Sequence, residues 1–234
     1  MDKIPNEIKK IIENYIIFKP KTNNELKVAV DLWCENKENS LKLYGHIYNW
    51  NTSLITNMDY LFNYKKDFNE NINNWDVSNV TNMSNMFYNC NNFNQELNKW
   101  NVSNVNYLDN MFYNCFIFNQ SLNDWNISNV KDINSMFRNC NYFNQPLNKW
   151  NISNLTNLDY VFYECFRFNQ NINNWNVSSI NSMDSTFYQC KSFKQPLCDW
   201  DVSNLKNAAN IFCYSDYNQK LSWNIPIDDK YDLM

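Results

Sequence analysis

Large apolar residues return along this chain at one fixed interval. Trp50, Trp75, Trp100, Trp125, Trp150, Trp175 and Trp200 stand at every twenty-fifth position. Phe62, Phe87, Phe112, Phe137, Phe162, Phe187 and Phe212 keep the same register. So do Cys90, Cys115, Cys140, Cys165 and Cys190, and a second series runs Phe68, Phe93, Phe118, Phe143, Phe168, Phe193. The shared pattern is W-[ND]-[VI]-S-N-[VIL]-x-x-[MLI]-x-x-[MVT]-F-x-x-C-x-x-F-N-Q-x-[LI]. A constant period of this size signals a solenoid, in which each repeat is one coil that buries its apolar face only against its neighbours.

Two shorter periodicities fit inside one coil. Val80, Met83, Met86, Phe87 and Cys90 follow i, i+3, i+6, i+7, i+10, the stripe of a short amphipathic helix. Ser78 stands just before it as an N-cap, and Ser53, Ser103, Ser128, Ser153, Ser178 and Ser203 repeat that role. Leu97, Trp100 and Val102 give L-x-x-W-x-V, whose last pair is at strand spacing. Stacking would pair Lys99–Val102 with counterparts such as Lys149–Ile152 in a parallel sheet. The expected fold is an α/β solenoid, leucine-rich-repeat-like, with one short strand and one short helix per 25-residue coil and about seven coils. Residues 1–43, with Ile4, Ile8, Ile11, Ile12 and Tyr15, then Leu26, Val30 and Trp33 at helical spacing, form a helical N-terminal cap. Residues 44–213 form the coils, and residues 214–234 a C-terminal cap or tail in which Trp223 comes two residues early.

Charge narrows the function. Twenty basic and 24 acidic side chains give a net charge of −4, with neither sign forming a run. Nucleic acid and membrane surfaces are therefore not the expected partners. The N-terminus is broken by Asn6, Glu7, Lys9 and Lys10 and reads as no signal peptide, so a cytoplasmic protein is expected. The chain holds fifty Asn against one Gly and three Ala. An AT-rich coding bias explains part of that excess.

Candidate chemistry is sparse, and no enzyme and no cofactor are expected. His46 is the only histidine and sits in a turn, where a capping role outweighs a catalytic one. A single glycine rules out a glycine-rich phosphate loop. Stacked coils would bring ladder cysteines within disulfide range, but they lie on the apolar stripe, so free buried thiols are expected. No C-x-x-C spacing suggests zinc. The N-x-S sequons at Asn101, Asn126, Asn151 and Asn176 become Asp at residues 76 and 201, which favours a local turn role over glycosylation. Trp faces inward in the L-x-x-W-x-V frame, which favours core over sugar stacking.

The repeat FNQxLNxWxVSNVxxMxxMFxxC resembles the 25-residue repeat of unknown function abundant in mycoplasma surface lipoproteins. That family is grouped with BspA-like leucine-rich repeats, with relatives in large DNA viruses and some protists. The match covers about residues 44–213, and Phe18–Trp50 resembles the N-terminal cap such arrays carry. The resemblance implies a solenoid for interaction or adhesion without established catalysis. Lacking a lipobox or anchor, this chain is expected in a host cytoplasm or virion. IPNEIKKIIENYI also faintly resembles the opening of an F-box, against which the capping-helix reading is preferred.

The expected function is thus a non-enzymatic scaffold binding a protein partner. The residues after each ladder Cys vary most, and Phe116, Ile117, Tyr142, Phe166 and Arg167 form one candidate surface. The positions flanking each Trp form the other, including Lys99, Asn101, Asp124, Asn126, Lys149 and Asn151. Two alternatives remain open: a self-assembling homo-oligomer, and a carbohydrate-binding or adhesin module.

Overall fold

The computed structural model describes residues 17–221 and residue 223. The segment IPNEIKKIIENYI and the late Pro226 lie outside the described residues. Two helices open the described chain, α1 (Asn23–Glu35) and α2 (Lys37–Tyr44), followed by a 3-10 turn at Ile47–Asn49. Thr22 caps α1 by accepting the Glu25 N–H at 3.1 Å, and its inner face buries Leu26, Ala29, Val30 and Trp33. The single glycine, Gly45, ends α2 at φ +68°, a left-handed backbone that glycine adopts without a Cβ penalty.

The strand and helix expected in every coil are overturned. Among the described residues both α-helices precede the coils, and no strand forms. Only isolated parallel bridges join neighbours, such as Asn57 to Asn82, Asn82 to Tyr107 and Tyr107 to Asp132. The chain is therefore not an α/β, leucine-rich-repeat-like solenoid. The Trp segment does not pair as a sheet either: the Lys99 N–H meets the side-chain oxygen of Asn73 at 3.0 Å rather than a neighbouring carbonyl.

The apolar stripe read as a helix is a run of tight turns. The Leu108, Asn110, Phe112 and Asn114 N–H groups donate to Asp132, Asn134, Met136 and Arg138 in the next coil at 2.9–3.0 Å. The alternate donors close turns within the coil, Met111 to the Leu108 carbonyl, Tyr113 to Asn110 and Cys115 to Phe112, at 2.9–3.2 Å. Asn110 and Asn114 hold φ at 54° and 58°, the left-handed conformation that a type II turn requires at its third residue. The same two positions recur in every coil, occupied by Asn85 and Asn89, Ser135 and Asn139, Tyr160 and Glu164, Ser185 and Gln189. An α-helix directs its N–H groups to its own carbonyls four residues back and leaves none for a neighbour. These turns send every second one sideways, and that tie holds coil to coil.

The interior is a set of aromatic columns. The Phe62-to-Phe212 rings stack at 5.3–5.8 Å. The second Phe column leans on the first at 3.9–4.4 Å. Each fully buried ring contributes about 1.5–3 kcal/mol of transfer free energy. Trp and Cys add a bond to their bulk. The Trp125 indole N–H donates to the Leu97 carbonyl of the preceding coil at 3.1 Å, and the Cys140 thiol to the Phe112 carbonyl at 3.0 Å. Beyond the last full coil, Tyr217 stacks on Phe193 at 5.8 Å and Trp223 on Trp200 at 5.9 Å. The shortened spacing there does not break the columns.

Asparagine does similar work at the surface. The FNQ motif is a ladder in which Asn94 Oδ1 accepts the Asn119 N–H at 2.9 Å and the Gln120 amide at 3.0 Å. Asn104 and Asn129 donate to the Ser78 and Ser103 carbonyls of preceding coils at 2.7 and 2.8 Å. The Asn or Asp after each Trp accepts the N–H two residues on, as Asn126 does from Ser128 at 3.1 Å. That turn role is the one expected of it. Ser78, expected as a helix cap, instead donates its hydroxyl to Asp76 at 2.6 Å, since no helix follows. At the N-terminal edge, α1 substitutes for a missing coil. Asn23 Oδ1 accepts the Thr56 and Asn57 N–H groups at 3.3 Å, and Lys27 donates to the Tyr60 and Leu61 carbonyls.

Two consequences are measurable. Asn89, Asn114 and Asn139 form an amide ladder at 2.5 and 2.6 Å, and it stops where Glu164 follows, leaving Asn139 Oδ1 buried without a partner. Glu164→Asn supplies that donor and a residue better suited to φ 56°. It is expected to stabilise the chain by about 1 kcal/mol, raising Tm by about 2–4 °C in calorimetry.

The second concerns alkaline pH. Burial holds the thiols of Cys90, Cys115, Cys140, Cys165 and Cys190 above the usual range. The unfolded chain therefore loses these protons first, so the stabilisation is intact below the unfolded thiol pKa of about 8.5 and falls above it. The slope is about 1.4 kcal/mol per pH unit for each thiol. Unfolding free energy measured across this range is expected to drop steeply above about pH 9, and replacing ladder cysteines with Ala flattens the drop.

Candidate functional site

The residues after each ladder Cys come to the surface. Phe116 and Ile117 are each 39% exposed, Tyr142 46% and Phe166 36%, whereas the Phe and Trp columns are buried. Turn geometry explains the difference. Cys115 and Phe118 point inward and are joined by a turn, the Phe118 N–H meeting the Cys115 carbonyl at 3.1 Å, so the two residues between them bulge outward. The row is continuous across coils, since the Tyr142 N–H donates to the Phe116 carbonyl at 3.2 Å. The Arg167 guanidinium lies 4.0 Å from the centre of the Tyr142 ring in the coil before it. The equivalent positions on either side are polar, Asn91 with Asn92 and Lys191 with Ser192, so the apolar stretch spans three coils.

The second set behaves differently. Lys99, Asn101, Asp124, Asn126, Lys149 and Asn151 are all exposed, but their polar atoms are engaged locally. Lys149 pairs with Asp124 at 2.7 Å, and Lys99 donates to Asn74 at 2.9 Å. Asn101, Asn126 and Asn151 each accept a Ser N–H two residues on. These rows tie turns and neighbouring coils. The structure places them apart from the post-Cys row within the coil, on the Trp segment.

A third column escaped the sequence reading. The position after the first Phe carries Tyr88, Tyr113, Arg138, Tyr163 and Tyr188, all half-buried and stacked along the surface. Tyr88 and Tyr113 lie 4.5 Å apart and Tyr163 and Tyr188 4.4 Å apart, with Arg138 filling the gap between the pairs. Its guanidinium is 4.2 Å from the Tyr163 ring centre, 5.0 Å from Tyr160 and 5.3 Å from Tyr113. Burial pushes the Tyr163 phenol up to about 12, helped by its neighbour Tyr188, and moves Tyr88 in the same direction. The signal was present in the run Y, Y, R, Y, Y at one register position. Interior periodicity has no need of that position, which hides it.

Beside this column lies a line of carboxylates, most of them occupied. Ser84 donates to Asp109, Ser182 donates to Asp159 at 2.6 Å, and the Tyr160 hydroxyl donates to Asp184 at 3.1 Å. Burial raises the Asp132 carboxyl, with Asp109 and Asp159 adding to the effect. Among the described residues no three His, Cys, Asp or Glu side chains converge as a metal site. His46 accepts the Tyr48 N–H through Nδ1 at 3.2 Å, the turn role expected of it. The five ladder thiols, Cys90, Cys115, Cys140, Cys165 and Cys190, are buried and form no disulfide, as expected.

One cavity of about 290 Å³ lies between the cap and the first coil, lined by Trp33, Cys34, Lys37, Lys65 and Glu70 among others. Two of its lysines are paired, Lys37 with Glu70 at 2.5 Å and Lys65 with Asp31 at 2.9 Å. Burial pushes the Cys34 thiol up to about 11, so it holds its proton at neutral pH. No helix among the described residues is long and apolar enough to cross a membrane.

The Trp column offers no sugar-stacking face. Trp75, Trp100, Trp125, Trp150, Trp175 and Trp200 are 2–4% exposed, and each indole N–H is bonded to a carbonyl of the preceding coil. Their emission is expected to be blue-shifted and to resist iodide. Strong quenching of the native chain would place these indoles in water.

No curated protein and no solved structure matches the chain. The family described as Mycoplasma protein of unknown function, DUF285, matches residues 35–149 and, overlapping them, 119–223. Most of the chain is covered by these two matches, and the protein belongs to that repeat family.

Proposed function

We propose that the protein is a non-enzymatic scaffold of stacked coils that binds a protein partner through the strip formed by Phe116, Ile117, Tyr142, Phe166 and Arg167. One observation carries this reading. On a chain that buries its repeated aromatics, Phe116, Ile117, Tyr142 and Phe166 depart from the repeat and are exposed together, beside Arg167, over three successive coils. Aromatic residues and arginine are enriched among the side chains that dominate protein-protein contacts. The aromatics remove much apolar area from water while losing little rotamer freedom, and the planar guanidinium of arginine stacks and donates several hydrogen bonds. The rows flanking Trp serve as the frame of the scaffold in this reading, since their amides and ion pairs are already engaged.

Self-assembly uses the same strip with a second copy as the partner. Sedimentation across a hundredfold dilution separates the two readings, a monomer throughout leaving the foreign partner.

Replacing Phe116, Tyr142 and Phe166 together with Ser is expected to abolish partner recovery from host extract while leaving Tm within about 2 °C of the parent. A fall well beyond that makes these residues part of the core. Full recovery with the triple variant removes the strip from the interface.

A further inference from the structure

The main-chain ties between coils fail at one seam. The N–H groups of Thr81, Asn106, Lys131, Asn181 and Lys206 each donate to the equivalent residue of the preceding coil at 2.8–2.9 Å. Those of Met58, Met83, Leu108, Leu158 and Met183 donate to the following coil at 2.8–3.0 Å. Between the coil that begins at Trp125 and the one that begins at Trp150, both ties are missing. Among the described residues the Thr156 N–H meets no acceptor where the series calls for the Lys131 carbonyl, and the Ile133 N–H none where it calls for Asn157. The parallel bridge is lost at the same place. Tyr107 pairs with Asp132 and Asn157 with Ser182, but Asp132 and Asn157 do not pair. The chain also bends at Thr156, which none of its equivalents does. Farther along the run the two coils stay joined, Ser135 to Asp159, Phe137 to Val161 and Asn139 to Tyr163, at 2.7–3.1 Å.

The bent segment is not itself the cause. Thr156-Asn157-Leu158-Asp159-Tyr160 nearly repeats Thr56-Asn57-Met58-Asp59-Tyr60, which runs without a bend. The neighbour differs: Thr56 and Asn57 meet the neutral amide of Asn23, whereas Asp132 holds the register position before Asn157. That position is Asn, Asn, Tyr, Asn, Ser and Asn in the other coils, so Asp132 alone is charged there. It is half-buried and makes no ion pair among the described residues, and the adjacent Lys131 is exposed and unpaired. The charges that act on it are Asp109 in the preceding coil and Asp159 in the following one, with the Tyr107 phenol at its bridge partner. Burial raises the Asp132 carboxyl, the Asn134 N–H that it accepts at 2.8 Å works against this, and the two carboxylates add to the rise.

We propose that this seam is a pH-sensitive hinge: ionised Asp132 keeps residues 131–133 parted from residues 156–157, and its protonation closes the two missing main-chain bonds. The ties at Ser135, Phe137 and Asn139 act as the pivot. A neutral carboxyl no longer opposes Asp109 and Asp159, while its oxygen still accepts the Asn134 N–H. The closed seam holds the proton more tightly than the parted one, so acid favours closing and rising pH favours parting. Tyr142 lies on one side of the seam and Phe166 with Arg167 on the other, so the hinge sets their relative placement.

Native-state hydrogen exchange of the full chain, read by NMR as protection factors, tests the hinge. At about pH 7 the Ile133 and Thr156 amides are expected to be about a hundredfold less protected than those of Leu108, Met183, Lys131 and Asn181. Acidification to about pH 4 is expected to raise both about tenfold. Asp132→Asn keeps the acceptor and removes the charge, and Asn already fills this position at residues 57, 82, 157 and 207. That variant is expected to show the closed protection at neutral pH and no further gain in acid. Equal protection of all six amides in the parent at neutral pH overturns the inference. So does low protection of Ile133 and Thr156 in the variant. A pH dependence that survives Asp132→Asn overturns it as well and moves the switch to Asp109 or Asp159. If the variant melts below the parent, the acid profile of the parent decides alone, and a flat profile rules the hinge out.

Discussion

The structure depends on where alternate main-chain N–H groups go. The donors at Leu108, Asn110, Phe112 and Asn114 leave their coil and end on the next one, and most of their equivalents in the other coils do the same. An unpaired buried N–H costs about 1–3 kcal/mol, so a coil cannot stand alone and its period cannot drift. One residue inserted into the turn run would exchange inward donors for outward ones and move Phe112 off its column. The strict interval between tryptophans follows from this requirement, with the ring columns as its packing counterpart.

Side chains reinforce the same ties, and their chemistry explains an odd composition. Trp and Cys place an apolar body in the core and one donor on a carbonyl of the preceding coil. Asparagine serves where a strained backbone or an amide bridge is needed, and its short side chain tolerates the left-handed conformation better than most. The abundance of Asn, read from sequence as a partial coding bias, has a structural use in the FNQ ladder, the turns after Trp and the amide ladder ending at Asn139. With almost no glycine, the left-handed turn positions fall to Asn, Ser, Tyr, Glu and Gln.

The candidate site follows from the same geometry by exception. A repeat that fixes its inward positions leaves the bulge after each Cys free to vary, and there Phe116, Tyr142 and Phe166 appear. That row was legible because it breaks the pattern. The tyrosine column with Arg138 was not, because it obeys a pattern that interior periodicity does not require. Cross-coil stacking of arginine on tyrosine also joins residues about one coil apart, such as Arg138 with Tyr163, and no local motif reports such a pairing.

By itself the sequence determined the stacking, the register of the columns, the inward direction of Trp, Phe and Cys, the turn after Trp and the cap helix around Leu26, Val30 and Trp33. These depend on apolar period and on short-range capping, which are local. Only the tertiary structure decided between helix and turn for the Val105-to-Cys115 stripe. Both conformations bring apolar residues to one side every three or four positions, so their hydrophobic patterns coincide. They differ in the destination of the N–H groups, and that is settled by whether another coil lies alongside to receive them.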